Sequence, residues 1–581
     1  MRRVLLTRYG PLLAAALTVA ALSGTAWSAA GAQAGTAPSG GPLRARITGA
    51  AIPYTSRVST ATRPATAGLP SKKQQIKVLT AALKLMHKDY VSGKFFQDTP
   101  GPMDVFDYGI GPLWKKGIDG AGTTVAVIEG WNFPGINAQV AQFDKQFGLP
   151  NPQISTIYPA GKLPKKCPPG MVKLGSYGSC SAWQGELTLD VISAHLMAPY
   201  AKIVISATPA DTEVTDDAAF QVAPPEMMKA LEYIAAHHVA SSMSISDGNG
   251  ESSYGFGAEQ VTAQNPGELA AAAAGIPVLV ATGDCGVVQN LPVANSQCSN
   301  ASAQPDTAAW DDSPWITAVG GSIPNISKAG VKVGSDPVWN VGGFFSEGAG
   351  FSSIYTRPGY QDSVAGITRS PMRSVPDITM DAQDGTSEAA PMLNGVLALA
   401  TQLNHGHNLG PINPALYAIG PRGAAAGIAD VLHGNDSVVR GGKTVVQGFT
   451  AAKGFDVATG WGTVNGLFPA SLVAQTQADH QEAVARHQAG AELSALETHS
   501  IKLTPSSIAK GGTSYLIAGG LLPGHPVPMF IDGKKVATLV AGDLGTVTYM
   551  IDPTLLKLAP GRHTVTLDSM LLTMTASFTS H

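Results

Sequence analysis

The 581-residue chain is short of charge: Asp, Glu, Lys and Arg make up 14% of it, against roughly a quarter of an average domain. With a formal net charge of −3, it also lacks the basic excess that a nucleic-acid partner demands. Few carboxylates gain little charge on acidification, a composition that suits an acidic habitat and equally a lineage poor in charge. Cysteine is scarce too: there are four, with no Cys-x-x-Cys pair and no clustered His beside them, which argues against a zinc site. They fall in two close pairs, Cys167 with Cys180 and Cys285 with Cys298, a pattern that suits two local disulfides in an oxidising compartment, other pairings remaining open.

Long apolar runs are missing after the N-terminal segment. The run at residues 11–22 follows Arg2, Arg3 and Arg8, precedes the small-residue stretch Ala32-Gln33-Ala34, and is short for a bilayer span. It predicts a secretory signal over residues 1–34, an extracellular protein and no membrane contact after cleavage. An uncleaved anchor is the competing reading.

What is present is length enough for more than one core. Residues 35–102 read as a leader or short pro-segment, rich in small and polar residues to about 70, with a helix at 72–90. Residues 103–473 alternate short apolar strands (124–128, 202–206, 239–245, 276–281, 315–319) with helices (186–197, 226–237, 268–274, 388–403). That alternation predicts an α/β domain with a parallel sheet covered on both faces, whose ligands gather at strand carboxyl ends. Glu129, Asp247 and Asp284 each follow such a strand. A polar, Ala- and Gln-rich helical linker is expected at 474–497. Residues 498–581 show alternating strands between Pro-Gly and Asp-Gly turns, the pattern of an all-β, immunoglobulin-like sandwich.

Candidate chemistry starts from Asp384–Pro391, DGTSEAAP, where Ser387 stands in the first turn of a helix. Unpaired N–H groups and the helix dipole there favour developing negative charge, so Ser387 is a candidate nucleophile, the alternative being an ordinary helix cap. Glu186 and Asp190 are four apart and share a helix face. Solvated, they are two repelling carboxylates; desolvated, they share a proton and supply a base that works in acid, where histidine is fully protonated. Asp284, in ATGDCG, is either a turn residue or, if protonated, a donor to an oxyanion.

Taken in order, the glycines leading into VAVIEG, the Glu186-x-x-x-Asp190 helix ending in APYAKI, then SISDGNGE, ATGDCG, SPWITAVGGS, VPDITMDA, DGTSEAAP and GFDVATGWGTVNG resemble the sedolisin family, the serine-carboxyl peptidases. The resemblance covers residues 104–470. It implies a subtilisin-like fold, Ser387 as nucleophile, Glu186 as base, Asp190 as its partner, Asp284 as oxyanion donor and Glu129 as a further supporting carboxylate. It also implies one structural calcium ion on Asp430, Val431, Ala452, Gly454 and Asp456, an oxygen-rich set of the kind calcium takes. Ala452 stands where relatives usually have Gly, and a backbone carbonyl ligand tolerates that.

The chain departs from the family at three places. Its leader is shorter than the usual folded prodomain. Asp247 follows Ser246 where relatives commonly carry Trp, and the link between VPDITMDA and DGTSEAAP lacks a hairpin that many relatives insert. Specificity is therefore not inherited. The expectation is an acid-active endopeptidase acting on proteins or peptides. Its rivals are a tripeptidyl-peptidase and a catalytically silent relative that binds a cell surface or polymer through the C-terminal domain. A subtilisin-type base is excluded because none of His195, His237, His238, His405 and His407 has that family's sequence context. His195, just over a turn past Asp190, is expected to pack.

Overall fold

The computed structural model describes residues 68–94, 100–167, 179–208, 224–248, 250–251, 265–289, 298, 304–440, 442–478, 501–519, 521, 526–540, 547–568 and 573–581. The expected signal, most of the expected leader and residues 479–497 of the expected linker lie outside them. No helix among the described residues is long and apolar enough to cross a membrane.

Seven parallel strands form the central sheet: β1 (Thr124–Glu129), β2 (Ile154–Ile157), β3 (Lys202–Ala207), β4 (Ser242–Ile245), β5 (Val278–Ala281), β6 (Thr317–Ser322) and β7 (Ile378–Asp381). Their spatial order is β7-β6-β5-β4-β1-β3-β2. In register, Val125 lies opposite both Ile203 and Ser242. Side chains alternate across each strand: Val125 and Val127 enter one apolar layer, Ala126 and Ile128 the other. Both faces are therefore buried, as a parallel sheet requires.

The first layer is covered by α4 (Cys180–Met197) and α7 (Thr386–Leu403), and takes in residues of α1 (Lys72–Val91), with α2 (Pro102–Asp107) and α3 (Ile136–Phe147) nearby in the chain. The second is covered by α5 (Pro224–His237) and α6 (Asn265–Ala273). Helix α1 opens on a capping box between Ser71 and Gln74, and its Leu79, Ala82, Leu83 and Met86 are buried in the first layer. The segment read as leader thus contributes to the core of the α/β domain. Helix α4 begins six residues earlier than its apolar pattern suggests, because Ser179 accepts a hydrogen bond from the Ala182 amide (3.3 Å) and caps it.

Both expected disulfides are present, Cys167–Cys180 and Cys285–Cys298. Beyond residue 500 the chain forms two sheets around a common apolar core. One contains Ile501–Thr504, Ser514–Ala518 and Val547–Ile551; the other contains Ser507–Ile508, Thr573–Ser580, Gly561–Asp568, Pro526–Ile531 and Lys534–Val540. Leu516 and Ile551 from the first meet Met529, Val565 and Phe578 from the second.

Candidate active site

Helix α7 is seated on the sheet by a polar contact inside an apolar layer. Ser242 and Ser244 of β4 face it, and Asn394 accepts from the Ser242 hydroxyl (2.5 Å) while donating to the Ala126 carbonyl (2.8 Å). Asn394 lies about two turns below Ser387, so these bonds fix the height of the serine above the strand ends. Its crossing with α4 is close because residue 395 is glycine: a β-carbon there would strike the Ala194 carbonyl and stand 2.7 Å from Met197 Cβ.

That crossing brings Ser387 to Glu186. Ser387 is half-buried at the second position of α7, and its side chain lies beside the Glu186 carboxylate. Burial raises the Glu186 pKa to about 7; Ser387 pulls it down and the Asp284 charge pushes it up. One turn further on, Asp190 is completely buried, and its carboxyl is held well above the ordinary range by burial and then by the Glu186 charge. Glu129, the last residue of β1, is also completely buried, with its pKa raised by burial first and then by Asp190 and Glu186.

A proton is shared between Glu129 and Asp190. Neither Glu129 nor Asp190 has a donor for either carboxylate oxygen when both are written as ions. The bond between them therefore needs a carboxyl proton, and it favours the protonated form of Glu129 and the ionised form of Asp190. Ser246 lies beside Asp190 and favours its charge; its hydroxyl is also 3.1 Å from the Ser387 carbonyl. Next to Glu129, the Trp183 ring fills the space where a side chain at Gly130 would go. The result is a row of three carboxyl groups, two of them completely buried, ending at a serine hydroxyl.

Asp284 approaches from the other side. Thr386 donates both its amide (2.8 Å) and its hydroxyl (3.0 Å) to Asp284 Oδ1. The Asp284 carboxyl is nevertheless raised, because burial outweighs these two bonds. Its Oδ2 sits where a side chain at Gly385 would go, and Gly385 has φ of 100°, a conformation that glycine adopts without strain. Asp247 is half-buried, accepts from the Gly248 amide (2.9 Å), and its charge adds to the rise at Glu129.

The residues expected to hold calcium also come together. Asp430 accepts from the Gly454 amide (2.9 Å), Asp456 accepts from Ala452 (2.7 Å), and Val431 is adjacent and buried. Burial pushes Asp456 up to about 6, with a further push from the Asp430 charge. Asp430 Oδ1 is enclosed without a hydrogen-bond partner. His195 is placed away from the serine, fully buried with Nε2 2.8 Å from Asp144 Oδ1.

Three contributors were not singled out from sequence. Thr386 orients Asp284, Gly395 sets the helix crossing, and Trp183 packs on Gly130 beside Glu129. Thr386 and Trp183 lie beside the motif residues they serve; a Gly inside a long apolar helix was the available sign of the third.

No family model matches the chain. It is 27% identical over 380 residues to kumamolisin from Bacillus sp. (strain MN-32), an alignment covering 61% of this chain and 60% of that protein. The chain is similar to members of the sedolisin, or serine-carboxyl peptidase, family. Tripeptidyl-peptidase 1 of Rattus norvegicus is 30% identical over 238 residues, covering 35% of this chain and 38% of the relative. In both cases the match spans less than two thirds of the relative's length. The fold is shared with Pseudomonas sedolisin, solved with two molecules of pseudo-iodotyrostatin, at a TM-score of 0.50 and 24% identity, covering 62% of this chain and 94% of that one.

Proposed function

We propose that this chain is a secreted, acid-active endopeptidase of the sedolisin family that hydrolyses proteins or peptides through an acyl-enzyme on Ser387. The observation that carries the reading is the Ser387 side chain set beside the Glu186 carboxylate, which shares a helix face with the buried Asp190. Glu186, in its ionised form, takes the hydroxyl proton as Ser387 attacks the scissile carbonyl, and the proton shared between Asp190 and Glu129 lets the row stabilise the protonated Glu186 that results. Asp284 is anchored through Oδ1, which leaves Oδ2 to carry a proton toward the oxyanion of the tetrahedral intermediate. Glu186 then returns its proton to the leaving amine, and water repeats the sequence on the acyl-enzyme. The need for a protonated Asp284 and a shared proton in the row ties turnover to acid.

The site at Asp430 and Asp456 suits a hard cation: two carboxylates that repel each other and one enclosed oxygen without a donor. With carbonyls from Val431, Ala452 and Gly454, these residues would hold a structural calcium ion, which would neutralise the pair and tie the 430 segment to the 452–456 loop. The two sheets of the C-terminal region suit an immunoglobulin-like module that contacts a cell surface or polymer.

The test is digestion of a protein substrate by the purified chain from strongly acidic to neutral pH, with product sequencing. Internal cleavage that peaks in acid and disappears in Ser387→Ala supports the reading. Release of tripeptides from N-termini would assign a tripeptidyl-peptidase. Inertness at every pH would favour a binding protein.

A further inference from the structure

A second group of buried carboxyls lies directly behind the nucleophile and has no part in the chemistry above. Asp104 comes from α2, Asp381 ends β7, and Glu388 follows Ser387 in α7; all three are 0% exposed. One carboxylate oxygen from each lies within 4.8 Å of the others. Asp104 Oδ2 accepts from the Gly101 amide (2.7 Å), Glu388 Oε2 from Asp384 (3.1 Å), and Asp381 Oδ1 from Gln383 (3.1 Å). These bonds leave Asp104 Oδ1 and Glu388 Oε1 enclosed without a donor, and the Tyr108 hydroxyl beside them is enclosed without a partner as well.

The charges bearing on the three are one another's and that of Asp384, which is exposed. The cation on the neighbouring side, Lys332, is held by Asp107 (2.7 Å) and Asp336 (2.8 Å). Three adjacent carboxylate ions without a counter-ion among the described residues would each cost several kcal/mol, a cost that bridging protons remove. Asp381 carries a proton toward Asp104 in such a bridge. Burial raises all three, Asp104 to about 6 and the other two well above their ordinary values.

The position of the cluster gives it a consequence. The stretch from Asp381 to Glu388 is the turn that presents Ser387, closed by Gly385 N–H to the Ala382 carbonyl (2.9 Å) and Glu388 N–H to the Gly385 carbonyl (3.0 Å). Cluster members stand at both ends of that turn, and Asp104 ties them to the segment before β1. We propose that Asp104, Asp381 and Glu388 form a proton-held latch that fixes the turn carrying Ser387 and releases it as the latch loses its protons. They are positioning residues, since none touches the reacting atoms, and the role at Ser387 rests on the proposed peptidase reading.

The test compares wild type with Asp104→Asn and Asp381→Asn, whose amides keep the shape of the protonated acids without the ability to ionise. Two measurements are made across pH: amide hydrogen exchange in peptides covering 381–390, and thermal midpoint. Wild type is expected to lose protection in this stretch as pH rises from about 4 through about 6, the interval between ordinary and raised carboxyl values. The amide variants should hold protection to a pH about one unit higher. If turnover is present, kcat rather than KM should follow the same shift. Exchange curves for the variants that superimpose on wild type would overturn the latch whatever the activity. So would loss of protection in the variants together with stabilisation of wild type by added calcium or magnesium, the result expected of a bound cation. A chain with no proteolysis but a shifted exchange curve would keep the latch and remove the peptidase reading.

Discussion

Gly395 touches the Ala194 carbonyl region with no side chain between the two helices, and this contact sets the distance from Ser387 to Glu186. A methyl group has nowhere to go: the backbone of α4 and Met197 Cβ already occupy the space. Gly395→Ala should therefore force the helices apart. Overpacking of this kind costs about 1–3 kcal/mol, read as a lower thermal midpoint, and on the proposed mechanism proteolysis should fall further than stability does because Ser387 and Glu186 separate together. A variant with wild-type midpoint and turnover would show that the crossing tolerates the added carbon.

Glu186→Gln should keep the fold and remove turnover. Glutamine can accept a hydrogen bond from Ser387 through its carbonyl and cannot take the proton, so a loss of at least on the order of a hundredfold in kcat is expected. The folded state should gain at neutral pH, since an acid with a pKa of about 7 no longer has to ionise in a buried place. Steady-state kinetics and a melting curve on the same preparation check both halves. Undiminished kcat would remove Glu186 as the base.

Much of this site was readable in the residues, and the reasons are local. Ser387 stands in a Gly-Thr-Ser turn before an apolar helix, and the four-residue spacing of Glu186 and Asp190 puts them on one face wherever the helix packs. Element limits were less readable. Strand β5 begins at Val278 instead of Ile276, after Pro277, which has no N–H to give to a ladder. The cluster of Asp104, Asp381 and Glu388 was out of reach: Asp104 lies at a domain margin in the sequence, and only the fold brings it to the other two. Burial is likewise a property of the packed chain, and it is burial that turns ordinary acids into proton carriers.

Glu129→Gln should be tolerated where Glu129→Ala is not. The protonated Glu129 donates to Asp190, and a glutamine amide donates from nearly the same place. We expect the Gln variant to retain most of its kcat in acid and to extend activity upward in pH, because one carboxyl that ionises on alkalinisation is gone. The Ala variant leaves Asp190 buried without that donor, at about 1–3 kcal/mol of stability. Equal damage by both substitutions would mean that Glu129 acts through its charge.

Stability should be greatest in acid and fall toward neutral pH. The carboxyls of Glu129, Asp190 and Asp284 are raised, Glu186 is raised to about 7 and Glu268 to about 8, all chiefly by burial. A raised carboxyl keeps its proton in the folded state after the unfolded chain has released its own, near pH 4. Between those two values the folded state binds more protons, so unfolding becomes easier as pH rises, by about 1.4 kcal/mol per pH unit for each proton difference. The contribution is complete below about pH 4 and is lost through pH 7 to 8 for Glu186 and Glu268. Midpoints measured from pH 3 to 8 should decline across this range, with steepening above about pH 5 as more groups differ. A midpoint that climbs steadily to neutral pH would contradict the burial of these acids.

Calcium should stabilise the chain through Asp430 and Asp456. Their mutual repulsion and the donorless Asp430 Oδ1 are liabilities in the folded state that a cation removes. At a hundred times its dissociation constant, a ligand of the folded state alone adds about 2.7 kcal/mol, enough to raise the melting midpoint measurably. Melting at fixed pH with EDTA, magnesium or calcium should show the highest midpoint in calcium. Asp430→Asn should lose most of that increment while its midpoint in EDTA stays at or above that of wild type, because the substitution also relieves the repulsion. An increment of equal size in Asp430→Asn and wild type would place calcium elsewhere in the chain.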